Sequence, residues 1–279
     1  MAQTFERLKA HNESGRYLCV GLDPDPAHVA KVYKRTHPSL VEGTDLETYC
    51  HSIFRETRPF AATYKAQYAC WAKHPEALRS LFREMRHDPS IPRILDGKFG
   101  DIGNSMKYWA DFALYVGADA VTVSPYMGVT DVTEELVKAG VDVFVLASTS
   151  NEGSKDIQQQ PLRASVNVDE LVAQMIQHSA KVLGPMYGMV VGATRPEDMG
   201  RMLASAPGIP VLSPGVGAQG GDVEAVVGLL SRHDAPWTIN VSRGIAEALK
   251  SPQGDEHWLR EVRAAAQGYA SQFRDLAAT

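Results

Sequence analysis

Short runs of consecutive apolar residues recur along the chain, each closed by a polar or glycine-rich turn and followed by apolar positions at helical spacing. The strand-like stretches are YLCVGLD at 17–23, FAATYKAQ at 60–67, RILDGKF from 93, ADAVTVSPYMG at 118–128 and DVFVLASTS at 142–150. GMVVGAT at 188–194, IPVLSPGVGAQGG at 209–221 (strand and loop together) and WTINVSRGI at 237–245 complete the set. Between them the spacing predicts helices over Phe5 to His11, Asp45 to Thr57, Pro75 to Arg86, Val132 to Ala139, Val168 to Leu183, Asp222 to Ser231 and Glu256 to Leu276. A further helix starts at Pro196, and another, opened by Asn104-Ser105, carries Tyr108, Trp109 and Phe112.

The strands are continuously apolar rather than alternating, which is the mark of a parallel sheet covered on both faces. Eight such strand–helix units predict an α/β chain closed into a (β/α)8 TIM barrel. A doubly wound open sheet fits less well, because no G-x-G-x-x-G follows the first strand and polar residues end nearly every strand. No shift in composition marks a linker, so residues 1–279 are read as a single domain.

Composition narrows the partners. With 279 residues, 44% of them hydrophobic, the chain can bury one large core. A net charge of -5 gives no general attraction for nucleic acid or an anionic membrane, so any anion has to be held by a local site. The first residues lack the apolar core of a signal peptide, and no apolar run approaches the roughly 20 residues of a membrane-spanning helix. Cys19, Cys50 and Cys70 have no metal-ligand spacing, and an odd number argues against a disulfide framework. A soluble, cytoplasmic protein is expected. The polar stretch 151–167 is long enough to serve as a lid.

The densest chemistry lies in RILDGKFGDIGNS at 93–105. On a strand, side chains two apart share a face, so Asp96 and Lys98 project together, with Asp101 close behind. An isolated D-x-K reads as a structural ion pair at a strand end, since buried charge needs a partner. The other strand ends change that reading. In a barrel of this kind they gather Asp23, Lys65, Asp96, Lys98, Asp101, Ser124, Ser150, Thr194, Gln219 and Arg243 at one mouth. Taken singly, Asp23 could be a turn former before proline, Lys65 a rim lysine with its head in solvent, and Ser150 part of an ordinary turn. The glycine-rich SPGVGAQGGD at 213–222 and the Ser242-Arg243-Gly244 that follows the eighth strand occupy the usual phosphate loops of the barrel. Gln219 would offer a neutral amide donor and Arg243 a bidentate charge, which points to a phosphorylated small molecule.

LDGKFGDIGNS, SPGVGAQGGD and NVSRGI, with GLDPDP and YKAQ, resemble the orotidine 5′-monophosphate decarboxylase family over about residues 17–250. Phe99 and the Gly-Asn-Ser ending look more like the branch with eukaryotic and apicomplexan members than the bacterial D-A-K-R-G-D-I form. The resemblance implies decarboxylation of orotidine 5′-monophosphate to UMP without metal or cofactor. It implies a catalytic network of Lys65, Asp96, Lys98 and Asp101, and a homodimer in which Asp101 and Ile102 reach into the partner's site. By the same resemblance Asp23 and Lys65 hold the ribose, Ser150 the pyrimidine edge, and Pro214 packs near the base. Gln219 and Arg243, helped by Gly220 and Ser242, grip the phosphate, and Ser105 belongs to the substrate-binding set. Two positions depart from the family pattern: Glu152 replaces a proline after Thr149-Ser150-Asn151, and Ala66 replaces the proline of the commoner K-P-Q.

The residue types suit the chemistry. Loss of CO₂ from orotate leaves a carbanion at ring carbon 6 with no adjacent electron sink, and a fixed ammonium beside that carbon is the required stabiliser. Sugar-phosphate enzymes on the same scaffold use carboxylate-bound Mg²⁺, but Lys65 ends the second strand where such a metal would want an acid. A silent nucleotide sensor would lose part of the charged set, and a Schiff-base aldolase would want a lysine in apolar surroundings.

Overall fold

Eight apolar runs become eight parallel strands, each hydrogen-bonded to the next in chain order, with β1 closing on β8. A computed structural model describes residues 4–162, 166–216, 222–249 and 255–279. The strands are β1 Leu18–Gly21, β2 Ala61–Gln67, β3 Arg93–Phe99, β4 Ala120–Val123, β5 Asp142–Ser148, β6 Tyr187–Val191, β7 Val211–Pro214 and β8 Trp237–Val241. The helices are α1 Thr4–Glu13, α2 Pro26–Val32, α3 Gly43–Thr57, α4 Tyr68–Trp71, α5 Pro75–Met85 and α6 Gly103–Val116. They continue with α7 Val129–Lys138, α8 Val168–Leu183, α9 Pro196–Ser205, α10 Val223–Ser231, α11 Arg243–Ala246 and α12 Asp255–Ala277. The barrel expected from the strand–helix alternation is the fold observed. None of the described helices is long and apolar enough to cross a membrane.

Helices α2, α4 and α11 have no counterpart among those the spacing predicts, and α6 starts differently. Asp23 before proline reads as a turn former, yet just beyond it Asp25 caps α2 by accepting the Ala27 N–H at 2.9 Å, with Pro26 at the first position. Conversely, Asn104-Ser105 does not cap α6. The helix starts at Gly103 behind an extended Ile102, and no side chain caps it.

The larger core fills the space between the strands and the outer helices, as in Leu95, Val121 and Val143 packed with Leu81, Phe82 and Leu136. A smaller cluster fills the barrel interior near the strand starts: Cys19, Ile94, Ala120, Phe144, Val190 and Leu212. Phe5 of α1 joins this cluster from below, edge-on to Phe144 with ring centres 5.2 Å apart. The Thr4 N–H donates to Asp142 Oδ2 at 2.7 Å, which fastens α1 to the start of β5. Burial pushes the Asp142 carboxyl up to about 6, against the opposing hydrogen bonds from Thr4. The other end of the chain comes to the same floor. Lys9 and Asn12 share a cavity of ≈ 310 Å³ with Ala277, and Arg274 lies beside Gly15.

A period of two then decides what sits above this floor. Ile94, Ala120 and Leu212 face inward, so the next inward residues on the same strands are Asp96, Thr122 and Pro214. The interior therefore changes from apolar at the bottom to charged and hydroxylated at the top.

Candidate active site

Two cavities open at the C-terminal ends of the strands and meet at Pro214 and Asn240. The first, ≈ 320 Å³, is lined by Lys65, Asp96, Lys98 and Thr122 on one side, with Thr149, Ser150 and Asn151 above and Leu146, Val190 and Leu212 beneath. The second, ≈ 330 Å³, lies over β1 and β8 between Asp23, Asp25, Val216, Ser242, Arg243 and Glu247.

Charge alternates across the first cavity. Lys65 Nζ lies 3.6 Å from Asp23 Oδ2 and donates to Asp96 Oδ2 at 3.0 Å. Lys98 Nζ donates to the other oxygen, Asp96 Oδ1, at 2.7 Å. Lys65 and Asp96 are only 5% and 7% exposed, so neither charge could persist without the other. Burial alone would raise Asp96, but the ammonium groups of Lys65 and Lys98 outweigh it and hold the carboxyl at about 2. Burial would likewise lower Lys65, yet Asp23 and Asp96 turn the balance, and its ammonium is held well above the usual lysine range.

Asp23 stands at the junction of the two cavities. Its Oδ1 accepts the backbone N–H of Gln67 at 2.8 Å and its Oδ2 accepts the Ser242 hydroxyl at 2.7 Å. That second bond depends on Gly21, because a β-carbon there would lie 1.8 Å from Ser242 Oγ. Asn240 donates to the same Ser242 Oγ at 3.2 Å and accepts from Cys19 Sγ at 3.4 Å. Arg243 opens α11, is exposed, and makes no ion pair among the described residues.

The loop above the first cavity is fastened at its base. Thr149 exchanges hydrogen bonds with Gln158, whose Oε1 accepts the Thr149 N–H at 2.8 Å. Arg195 donates to Ser154 Oγ at 2.9 Å and to the Thr149 carbonyl at 3.3 Å. A 3-10 turn over Glu152–Asp156 and an isolated bridge from Pro161 to Asn167 give the expected lid more order than its polar sequence announced.

Of the site residues expected from sequence, Asp23, Lys65, Asp96, Lys98, Ser150, Pro214, Ser242 and Arg243 line the two cavities. Gln219 and Gly220 lie outside the described residues. Asp101 joins no lysine among the described residues of its own chain; its Oδ1 accepts the Ile102 N–H at 2.8 Å. Ile102 is 45% exposed, and Ser105, with its N–H on the Ile102 carbonyl, lies in the first turn of α6. Ser105, Ser124 and Thr194 line neither cavity. Thr122 and Asn240 were missed. Both sit inside strands rather than at their ends, and only their inward parity could have singled them out.

Comparison with known proteins bears on this geometry. A family model described as Orotidine 5′-phosphate decarboxylase / HUMPS family matches residues 16–254. An orotidine 5′-phosphate decarboxylase of Paracidovorax citrulli is 41% identical over 270 residues, covering 92% of each chain. Among solved structures, the OMP decarboxylase of Leishmania donovani superposes with a TM-score of 0.81 at 28% identity, covering 100% of both chains. A Toxoplasma gondii structure described as a putative orotidine-monophosphate-decarboxylase gives 0.82 at 29% identity, covering 99% of this chain and 97% of its own. The likeness runs to bacterial and protozoan proteins alike, where the sequence motif had pointed to the eukaryotic and apicomplexan branch.

Proposed function

Since the chain belongs to the orotidine 5′-phosphate decarboxylase family, we propose how its own residues carry out that reaction. The protein converts orotidine 5′-monophosphate to UMP in pyrimidine biosynthesis. The observation that carries the reading of the site is the unbroken sequence Lys65–Asp96–Lys98 along one wall of the first cavity.

In this reading the pyrimidine occupies the first cavity with ring carbon 6 toward Lys98, Ser150 at the pyrimidine edge and Pro214 against the base. The ribose lies at the junction, with its hydroxyls on Asp23 and Lys65. The phosphate lies in the second cavity on Arg243, helped by Ser242, Gln219 and Gly220. The bond from carbon 6 to the carboxylate breaks heterolytically, CO₂ leaves, and the electron pair stays on carbon 6. The Lys98 ammonium stabilises that pair and then gives it a proton, to be replaced from solvent. Lys98 is already charged and already oriented by Asp96, so little reorganisation accompanies the step. Asp96 lies on the side from which the substrate carboxylate departs and disfavours its retention. The chemistry calls for no metal and no cofactor.

The active unit is a homodimer in this proposal, with Asp101 and Ile102 completing the partner's network and Ser105 adding to substrate binding behind them. Support comes from apolar surface on the mouth side. Tyr126, in the turn after β4, is 82% exposed, and Tyr108, in the helix that Ile102 precedes, is 68% exposed. The single domain spans residues 1–279 and works in the cytoplasm, a setting that suits its three free thiols.

The test is direct. Purified protein mixed with orotidine 5′-monophosphate and EDTA should lose orotate absorbance and yield UMP. No conversion with tight UMP binding retained would favour a nucleotide sensor. No conversion and no UMP binding would refute the reading, and sugar phosphates with Mg²⁺ would be tried next.

A further inference from the structure

The pairing of β3 with β4 is interrupted opposite one residue. Ile94 pairs with Ala120 and Leu95 with Val121, and pairing resumes only at Phe99 with Val123. Four residues of β3 thus advance against two of β4, and Asp96, Gly97 and Lys98 bulge opposite Thr122 alone. Inside this bulge Lys98 adopts φ +47, a left-handed conformation that strains a residue carrying a side chain. Gly97 beside it has no room for a side chain, because a β-carbon would lie 2.2 Å from the Phe99 ring.

At this break in the pairing the Lys98 N–H meets a side chain, the hydroxyl of Thr122. The Lys98 N–H donates to Thr122 Oγ1 at 2.9 Å. An N–H can only donate, so the hydroxyl oxygen accepts, and its single proton is free for Asp96 Oδ1 at 2.7 Å. That oxygen also accepts Lys98 Nζ. The result is a closed ring that begins at the backbone of Lys98, passes through Thr122 and Asp96, and returns to the ammonium of the same residue. Thr122 is 1% exposed, so water does not compete for these bonds.

We infer that Thr122 is a positioning residue for the decarboxylation, holding the bulged Lys98 backbone and the Asp96 carboxylate in register through one hydroxyl. The inference rests on the reaction proposed above. Thr122→Val keeps the shape and removes the hydroxyl; Thr122→Ser keeps the hydroxyl and removes the methyl. With orotidine 5′-monophosphate, kcat of Thr122→Val should fall by about 100-fold, the scale of a misplacement near 1 Å. KM and UMP affinity should change by less than about threefold, and Thr122→Ser should retain kcat within about fivefold. The acid limb of the kcat profile should move to higher pH in Thr122→Val, because Asp96 loses a donor to its charged form. Wild-type kcat and profile in Thr122→Val would overturn the inference, as would equal losses in the valine and serine variants. Absence of turnover in the wild-type control would instead count against the reaction. A crystal structure of Thr122→Val decides the positioning role independently of activity: Lys98 still at positive φ with its bond to Asp96 intact would overturn it. Thr122→Ala serves for both measurements should the valine variant not fold.

Discussion

Lys65 and Asp96 meet across neighbouring strands, Nζ to Oδ2 at 3.0 Å, in an interior that excludes almost all solvent from both. Such a pair costs more to break than to keep, because removing one member leaves the other charged and buried. Lys65→Met should therefore lower stability at neutral pH by about 3–5 kcal/mol, as read from denaturant unfolding. The loss should shrink as the pH falls toward 2–3. Asp96 has a depressed folded pKa of about 2, so the stability it contributes is present above the ordinary carboxylate range and disappears as the pH falls through that value. A pH-independent loss would show that packing of the lysine stem, not charge, dominates.

Lys98 is the cavity's exposed cation, whereas Lys65 is sealed behind it. Lys98→Ala should abolish turnover, by more than about 10⁴-fold, while UMP binding stays measurable by calorimetry. Near-normal decarboxylation by this variant would remove Lys98 as the proton donor.

Asp101 has no lysine partner among the described residues of its own chain. If it serves a partner subunit, Lys98→Ala and Asp101→Ala are defective in complementary halves. Mixing the two inactive variants should restore up to about a quarter of wild-type activity, since random exchange makes half the dimers mixed and each mixed dimer holds one intact site. No recovery after verified subunit exchange would mean that Asp101 acts in its own chain. Ile102→Glu should shift the assembly toward monomer in analytical ultracentrifugation.

Asp142 at the barrel floor gives a pH effect of opposite sign. Its folded pKa is raised to about 6, so the folded state holds this proton more tightly than the unfolded chain does. Its favourable contribution is complete below the ordinary carboxylate range and is lost as the pH rises through 6. Asp142→Asn should then unfold later than wild type at pH 8, by on the order of 2–3 kcal/mol, with the advantage gone by about pH 4. Thermal melts across that range provide the check, and an advantage unchanged with pH would exclude ionisation as its cause.

Much of this fold can be read from the chain because each strand announces itself locally. Ile94-Leu95 or Val143-Phe144-Val145 needs no knowledge of its neighbours to be recognised as buried strand. The same holds for Asp23, Lys65, Asp96 and Lys98, which stand where an apolar run stops. Helix α2 could have been found from Asp25-Pro26, a cap followed by proline, but the repeated Asp-Pro pattern favoured a plain turn. The part played by Thr122 was not legible. It depends on a break in the pairing of two strands, and the strained Lys98 that the hydroxyl supports becomes visible only once β3 and β4 are laid side by side. Asp101 marks another boundary: the sequence puts it beside Lys98, whereas its own chain turns it toward the Ile102 backbone.

The helix that closes the floor brings residues near both chain ends, Lys9 and Ala277, to one cavity on the side away from the chemistry. A tether or carrier joined at either terminus would hang beneath the barrel and leave the substrate's approach clear. Molecules fixed to a sensor surface through that end would all turn their mouths toward solution, so binding could be followed with the protein uniformly oriented.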